Sequence, residues 1–283
     1  MLDPLVIGGP PLFEPTCEAE RVDDLVISGD GTQLVVRRHG AGRPVALVHP
    51  SAGGLESFDP IVPRLDGLEL WIYARRGYAP SDGVKRAKTF ADDIADLQAV
   101  LAAAGGRADV LGASYGATVA LHAARTNGSG VRSLVLFEPP LFAAGAGLRT
   151  TLARYRACLD DGALAAAARV FAAEVARVPA PLLDALTGAD DTNADRAEAI
   201  GCLHDLEAMT ADTPDLDRWA AVEVPTLLMQ GSETWAPMPA TMDALAAVLP
   251  HLTRQRLAGQ AHFATHTAPA LFAGTVTTFL STT

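Results

Sequence analysis

The chain has 283 residues, 49% of them hydrophobic and 6% aromatic, and its 22 Lys and Arg against 33 Asp and Glu give a formal charge of −11. This length corresponds to one large domain, or to a smaller domain that carries an insertion. The acidic balance argues against nucleic acid and anionic membrane surfaces as partners, because no cluster of Lys or Arg can neutralise phosphate groups. Apolar runs such as residues 45–48 and 134–137 are far shorter than the ~18 residues that a membrane-spanning helix needs.

The N-terminal segment and the cysteines indicate the compartment. Residues 1–15 lack a basic region and are interrupted by prolines, so they do not resemble a secretory signal, and we expect a cytoplasmic protein. Cys17, Cys158 and Cys202 are widely spaced and odd in number, which favours reduced thiols over a disulfide framework or a zinc site. We assign no metal and no other cofactor to the chain, and we expect its partner to be a small-molecule substrate.

In chain order, the first predicted elements are two strands, residues 22–28 and 33–39, joined across Asp30-Gly31. Asp-Gly tolerates positive φ in a tight turn, so the pair predicts an antiparallel hairpin. Buried apolar strands then alternate with helices, which is typical of a parallel sheet covered on both faces. The predicted strands are residues 45–48, 68–74, 108–111 and 133–137, and the predicted helices are residues 57–65, 89–104 and the run after Ser114.

Residues 141–217 interrupt this alternation. They are rich in Ala, Arg and Glu, contain helical patterns such as residues 152–178 and offer no convincing strand, so we interpret them as a helical insertion. Alternation resumes with strands at 226–229 and 253–257 and helices at 239–249 and 268–280. The sequence therefore predicts a core of residues 1–140 and 218–283, interrupted by the helical insertion (residues 141–217).

The strongest chemical signal is Gly-Ala-Ser-Tyr-Gly at residues 112–116, which follows a predicted strand and precedes a predicted helix. A sharp strand-to-helix turn holds its serine in strained dihedrals and exposes the hydroxyl above the sheet. We therefore predict that Ser114 is a nucleophile. The backbone N–H of Tyr115, at the start of the helix, is in position to bind an oxyanion on an attacked carbonyl.

A second oxyanion donor is expected from the β3 loop (residues 49–54), which follows the third predicted strand. Pro50 has no N–H, so the backbone N–H of Ser51 is the candidate, and we expect His49 to organise this loop.

A serine nucleophile needs an adjacent general base. His262 is the best-placed histidine, because it lies in the loop between the last strand and the last helix, at the same sheet edge as Ser114. His266 is the competitor. The two histidines also have the spacing of a helical metal pair, but no Glu stands between them in the metalloprotease pattern and no third ligand is evident.

Through these residues and motifs, the chain from about residue 22 to residue 280 resembles the α/β-hydrolase superfamily. It is most similar to a bacterial group with Arg-Arg-Gly after the fourth strand, here residues 75–77, and Glu-Pro-Pro after the sixth, here residues 138–140. The resemblance implies an α/β-hydrolase fold, a mostly parallel sheet with helices on both faces and a helical cap inserted after strand 6. It also implies structural roles for Arg75 and Arg76, which ordinarily pair with carboxylates under the loops.

The departure from the superfamily concerns the acid that orients the histidine. Most members resemble Gly-x-x-Asp after the seventh strand, whereas here Thr234 stands at the position of the Asp. Glu138, at the end of the sixth strand, and Glu233, one residue before Thr234, are the two candidate substitutes. We favour Glu138, because a strand end followed by two prolines fixes its side chain toward the catalytic edge.

The resemblance implies a serine hydrolase that cleaves an ester, thioester or lactone of a small, partly apolar substrate through an acyl-enzyme. Two alternatives remain open at this point. One is a non-hydrolytic relative that acts as a cyclase, a carbon–carbon bond lyase or an acyltransferase, and the other is a binding protein that has lost turnover. The sequence carries no signal for the oligomeric state.

Overall fold

A computed structural model of the protein describes residues 23–126, 128, 130–187 and 196–283. Cys17 and residues 1–15, which we expect not to form a secretory signal, lie outside the described residues. Among the described helices, none combines the length and the apolar character that crossing a membrane requires.

The described strands form one sheet of eight in the order β1-β2-β4-β3-β5-β6-β7-β8. β1 and β2 are antiparallel, β2 pairs antiparallel with β4, and all other neighbours are parallel. The strands are β1 Asp23–Ile27, β2 Gln33–Gly40, β3 Arg43–Val48, β4 Leu68–Tyr73, β5 Ala108–Ala113, β6 Val131–Phe137, β7 Thr226–Gly231 and β8 Leu252–Leu257. The predicted α/β fold class and the predicted hairpin are confirmed.

Apolar side chains on both faces of the strands create a core on each face of this sheet. Successive β-strand side chains point to opposite faces. In β3, Ala46 and Val48 accordingly join one apolar cluster with the helices after β4 and β5, whereas Val45 and Leu47 join a second cluster with the C-terminal helix. Both faces are therefore covered, and the site must lie at an edge of the sheet.

The helices connect the strands in the predicted order. In the described part of the chain they are α1 Phe90–Ala103, α2 Tyr115–Ala124, α3 Arg149–Asp160, α4 Leu164–Val170, α5 Ala180–Thr187, α6 Arg196–Ala211, α7 Met238–Val248, α8 Ala264–Thr267 and α9 Pro269–Leu280.

The predicted helix at residues 57–65 is wrong. Two short 3-10 turns, Leu55–Phe58 and Val62–Arg64, occupy this stretch. Pro60 and Pro63 have no N–H to donate, and the proline ring clashes with the carbonyl of the preceding turn, so an α-helix cannot run through this segment.

The helical insertion contains no strand among its described residues, 141–187 and 196–217. The helical pattern at residues 152–178 is not continuous: α3 ends before Gly162, which has φ 71°. After α4, residues Phe171–Val175 form a π-helical turn. Helix α6 then returns across the β3 loop and so brings its side chains to the edge of the sheet.

Candidate active site

Ser114 lies in a strained turn between β5 and α2, with φ 53° and ψ −119°. The flanking glycines make this turn possible. A Cβ on Gly112 would lie 2.4 Å from the Gly116 carbonyl oxygen, and a Cβ on Gly116 would lie 2.0 Å from the Val48 carbonyl oxygen. Both positions therefore require glycine, because any side chain would collide with fixed backbone.

Ser114 lines a cavity of about 750 Å³ at the carboxyl ends of the parallel strands. His262 and Ser51 line the same cavity. Many of its lining residues belong to the helical insertion, including Phe142 and Phe171. A largely apolar cavity of this size, with a few convergent polar groups, is typical of a small-molecule site.

His262 is held by Glu138. The imidazole Nδ1 lies 2.6 Å from Glu138 Oε2, and the ring stacks on Phe137 at a centroid distance of 6.0 Å. Because Nδ1 is engaged by the carboxylate, Nε2 is the nitrogen that remains for proton exchange. This is the carboxylate–imidazole arrangement that orients a general base.

Glu138 is fully buried directly after β6, with a positive φ of 46°. Its Oε1 accepts a 2.8 Å hydrogen bond from the Gly231 N–H, and its Oε2 accepts a 3.1 Å hydrogen bond from the Thr234 hydroxyl. The residue at the usual acid position thus supports a carboxylate that comes from another strand. A left-handed conformation at a non-glycine residue costs about 1–3 kcal/mol, and such strain clusters at functional sites.

The two competing residues do not form the contact between Glu138 and His262, although His266 lines the same cavity. Glu233 is exposed, and its carboxylate accepts a 3.0 Å hydrogen bond from the Ser232 hydroxyl. His266 is exposed on α8, and its Nδ1 lies 2.9 Å from the hydroxyl of Thr265. The structure brings Glu138 to His262 and gives neither competitor such a contact.

The β3 loop places Ser51 on the cavity wall next to Ala52, which has a positive φ of 52°. His49 beneath it accepts a 3.0 Å hydrogen bond from the Arg75 N–H at Nε2, and its Nδ1 lies 2.7 Å from the Pro50 carbonyl. Burial, with the charge of Arg75, holds the pKa of His49 well below its ordinary value, so the imidazole is neutral.

The backbone N–H of Tyr115 directly follows Ser114 in the chain. Tyr115 is the first residue of α2, and the first N–H groups of a helix have no acceptor within it.

A buried ionic cluster fixes the β3 loop from below. The Asp205 carboxylate, on α6, accepts two hydrogen bonds from Arg75 at 2.7 and 2.8 Å and one from Lys88 at 2.7 Å. Arg75 also donates to the carbonyls of His49 and Pro50. Burial by itself would raise the pKa of Asp205, but Arg75 and Lys88 outweigh it and hold that pKa well below its usual range. Arg75 therefore has the structural pairing that the resemblance implies.

The other members of this cluster, which surround Arg75, were not identified from the sequence. Asp205, Lys88 and Tyr78 are all buried, and the Tyr78 hydroxyl donates a 2.7 Å hydrogen bond to Asp205. The available signal was an acidic residue among the apolar positions of a helix, since a buried carboxylate requires partners. Which cations would supply them depends on contacts between distant segments.

The comparisons with known proteins agree with this architecture. A family model described as the alpha/beta hydrolase fold matches residues 43–269. None of the curated proteins matches the sequence.

Among solved structures, an alpha/beta hydrolase from Sphaerobacter thermophilus is 29% identical, with a TM-score of 0.80 over 91% of this chain and 100% of that one. An enol-lactonase from Burkholderia xenovorans is 20% identical, with a TM-score of 0.69 over 91% and 100% of the two chains. An esterase from Exiguobacterium antarcticum is 19% identical, with a TM-score of 0.72 over 92% and 100%. Because the family model covers most of its length, this chain belongs to the α/β-hydrolase fold family.

Proposed function

We propose that the protein is a serine hydrolase that cleaves an ester, thioester or lactone of a small, partly apolar substrate through an acyl-enzyme. The observation that carries this proposal is that Ser114 and His262 line one cavity, while Glu138 holds the Nδ1 of His262 from the opposite side. The similarity to solved structures of an esterase and an enol-lactonase supports it at the level of the fold.

In the proposed reaction, Ser114 Oγ attacks the substrate carbonyl carbon while His262 Nε2 accepts the hydroxyl proton. The N–H groups of Ser51 and Tyr115 bind the resulting oxyanion. Collapse of the tetrahedral intermediate expels the alcohol or thiol, which takes its proton from His262. Water then attacks the acyl-enzyme, with His262 as general base, and releases the carboxylic acid and Ser114.

We further propose that the helical insertion acts as a cap over this site. Its side chains form much of the wall facing Ser114, so it would determine which substrates enter. The exclusion of water by such a wall strengthens the electrostatic interactions within the site.

A panel of p-nitrophenyl esters tests the proposal with four proteins. We expect Ser114→Ala to abolish hydrolysis and Glu138→Gln to lower kcat by a factor on the order of 10² to 10⁴. Glu233→Gln is the matched control, because it removes the same charge from an exposed carboxylate, and we expect its activity to stay within about twofold of the wild type. A loss in Glu233→Gln instead of Glu138→Gln would overturn the assignment of the acid.

Labelling with a fluorophosphonate separates the hydrolase from the two alternatives. A binding protein without turnover would label no faster than Ser114→Ala. Rapid labelling of Ser114 in a protein that hydrolyses no ester would instead favour a non-hydrolytic reaction in the same cavity. The proposal requires both labelling and turnover.

A further inference from the structure

We infer that the site selects substrates whose non-reacting part is an uncharged hydrocarbon group and rejects esters that carry a second, free carboxylate. This inference rests on the proposed hydrolysis and specifies its substrate class. Three properties of the described cavity wall carry it: its apolar side chains, the internal bonding of its polar groups, and the sign of its charges.

Much of the cavity wall is built from aromatic and aliphatic side chains. Phe142, Leu164, Phe171 and Val175 come from the helical insertion, and Trp235 and Met238 come from the region after β7. Apolar surface of this kind stabilises a ligand by the area it removes from water, without requiring a specific polar group. The bulk of the wall is therefore suited to hydrocarbon.

Three polar side chains of the cavity wall are already bonded within the protein. The Tyr155 hydroxyl donates to the Ala199 carbonyl at 2.9 Å, and the Trp235 Nε1–H donates to the Ala176 carbonyl at 3.0 Å. The Tyr78 hydroxyl donates to Asp205 at 2.7 Å. These donors are thus committed to the protein, and a substrate carboxylate would have to displace them.

The charged residues on the described wall are acidic. Glu56 and Glu198 line the cavity at exposed positions, Glu56 lies 3.6 Å from Arg37, and none of the described lining residues is Lys or Arg. Arg75 and Lys88 lie beneath the β3 loop, fully buried, and bond to Asp205 rather than to the cavity. A substrate carboxylate that entered would therefore lose its hydration without meeting a Lys or Arg among the described lining residues, which is unfavourable.

A matched pair of esters provides the test: p-nitrophenyl hexanoate and mono-p-nitrophenyl adipate, which have the same chain length and differ in a terminal carboxylate. We expect the wild type to favour the hexanoate in kcat/KM by a factor on the order of 10² or more. Calorimetric titration of Ser114→Ala with both esters measures binding without turnover, and we expect only the hexanoate to bind measurably.

The two readouts separate this inference from the proposed function. Tighter binding of the hexanoate by Ser114→Ala, with no hydrolysis by the wild type, would support the substrate class and overturn the hydrolase. Hydrolysis of the adipate monoester at an equal or higher kcat/KM would overturn the substrate class and leave the hydrolase intact. Failure of the hexanoate to bind Ser114→Ala would also overturn the substrate class.

A variant that removes one charge tests whether the charges of the cavity wall contribute to this selectivity. Glu198→Gln removes a lining carboxylate, and we expect it to raise kcat/KM for the adipate monoester relative to the hexanoate by about twofold to threefold, because water screens the charge of an exposed residue. Glu223→Gln is the matched control, since it removes the same charge from an exposed residue that does not line the described cavity. An equal change in both variants would show an effect of net charge alone and would contradict a role for the wall.

Discussion

The Ser51 hydroxyl donates a 2.7 Å hydrogen bond to the Asp205 carboxylate and so joins the β3 loop to helix α6 of the helical insertion. The same carboxylate oxygen accepts the hydroxyl of Tyr78, which in turn accepts the Ala52 N–H at 3.3 Å. The loop proposed to bind the oxyanion is therefore positioned by the segment that we propose to cover the substrate. Its geometry depends on how α6 packs on the core.

We expect Ser51→Ala to lower kcat by roughly tenfold with little change in KM. A hydrogen bond to a charged partner contributes about 1.5–3 kcal/mol, and a displaced loop would weaken donors that act chiefly in the transition state. Steady-state kinetics on a p-nitrophenyl ester checks the split between kcat and KM. An unchanged kcat would show that the bond to Asp205 does not position the loop.

Asp205→Asn removes the carboxylate itself. We expect it to lower the free energy of unfolding by about 3–5 kcal/mol, because Arg75 and Lys88 would keep buried charges without their partner. We also expect a larger loss of kcat than in Ser51→Ala. Asp212→Asn is the control: it breaks the pairing of Asp212 with Arg218 after α6 without touching the β3 loop, so stability should fall while kcat is retained. Denaturant titration of both variants measures the free energy of unfolding, and steady-state kinetics measures kcat.

We expect Gly116→Ala to destabilise the fold by at least about 3 kcal/mol, because the new methyl group would lie 2.0 Å from the Val48 carbonyl oxygen and backbone would have to move. Gly147→Ala is the control. Its Cβ would meet no atom within 4 Å, so we expect a change within about 0.5 kcal/mol. Thermal and urea denaturation compare the two; equal stability of both variants would contradict the close packing of α2 on β3.

Thr234 lies close enough to His262 to test whether the proposed acid can be transferred from Glu138 to this position. Its hydroxyl and His262 Nδ1 contact the same oxygen of Glu138, at 3.1 and 2.6 Å. We therefore expect Glu138→Gln combined with Thr234→Asp to recover at least about tenfold in kcat over Glu138→Gln alone, since a carboxylate again holds the imidazole. Glu138→Gln with Ser232→Asp carries the same charge in the same loop and should recover nothing. Equal recovery in both doubles would point to charge rather than orientation.

The lowered pKa of Glu207 predicts how the stability of the fold depends on pH. Burial by itself would raise the pKa of Glu207, but hydrogen bonds from His204 and Arg156 outweigh it and lower this pKa from 4.5 to about 2. A depressed pKa stabilises the folded state above pH 4.5, and this stabilisation is lost as the pH falls from 4.5 toward 2. We expect Glu207→Gln to reduce the fall in melting temperature over that interval. Parallel thermal melts of both proteins between pH 2 and pH 7 check it, and equal slopes would contradict the assignment.

The turn that carries Ser114 and the strands of the sheet could be predicted from local patterns. Ser114 has its glycine neighbours, its strand and its helix within a few residues, so the strained turn that exposes its hydroxyl can be inferred from adjacent positions. The apolar runs of β3, β5, β6 and β7 likewise predict strands buried on both faces, because each pattern is a property of contiguous residues. The wrongly predicted helix at residues 57–65 also has a local cause, because Pro60 and Pro63, which prevent an α-helix there, are present in the sequence itself.

The arrangement around the nucleophile depends on distant parts of the chain. The sequence by itself left Glu138 and Glu233 as the two candidates for the carboxylate that orients His262. Only the tertiary structure decided which carboxylate contacts His262, because β6 and the loop after β8 are 124 positions apart at this contact. The same holds for Asp205, which lies 154 positions from Ser51 and reaches it through the packing of α6. Periodicity and propensity describe neighbours along the chain, whereas a buried carboxylate is stabilised by whichever donors the fold brings to it.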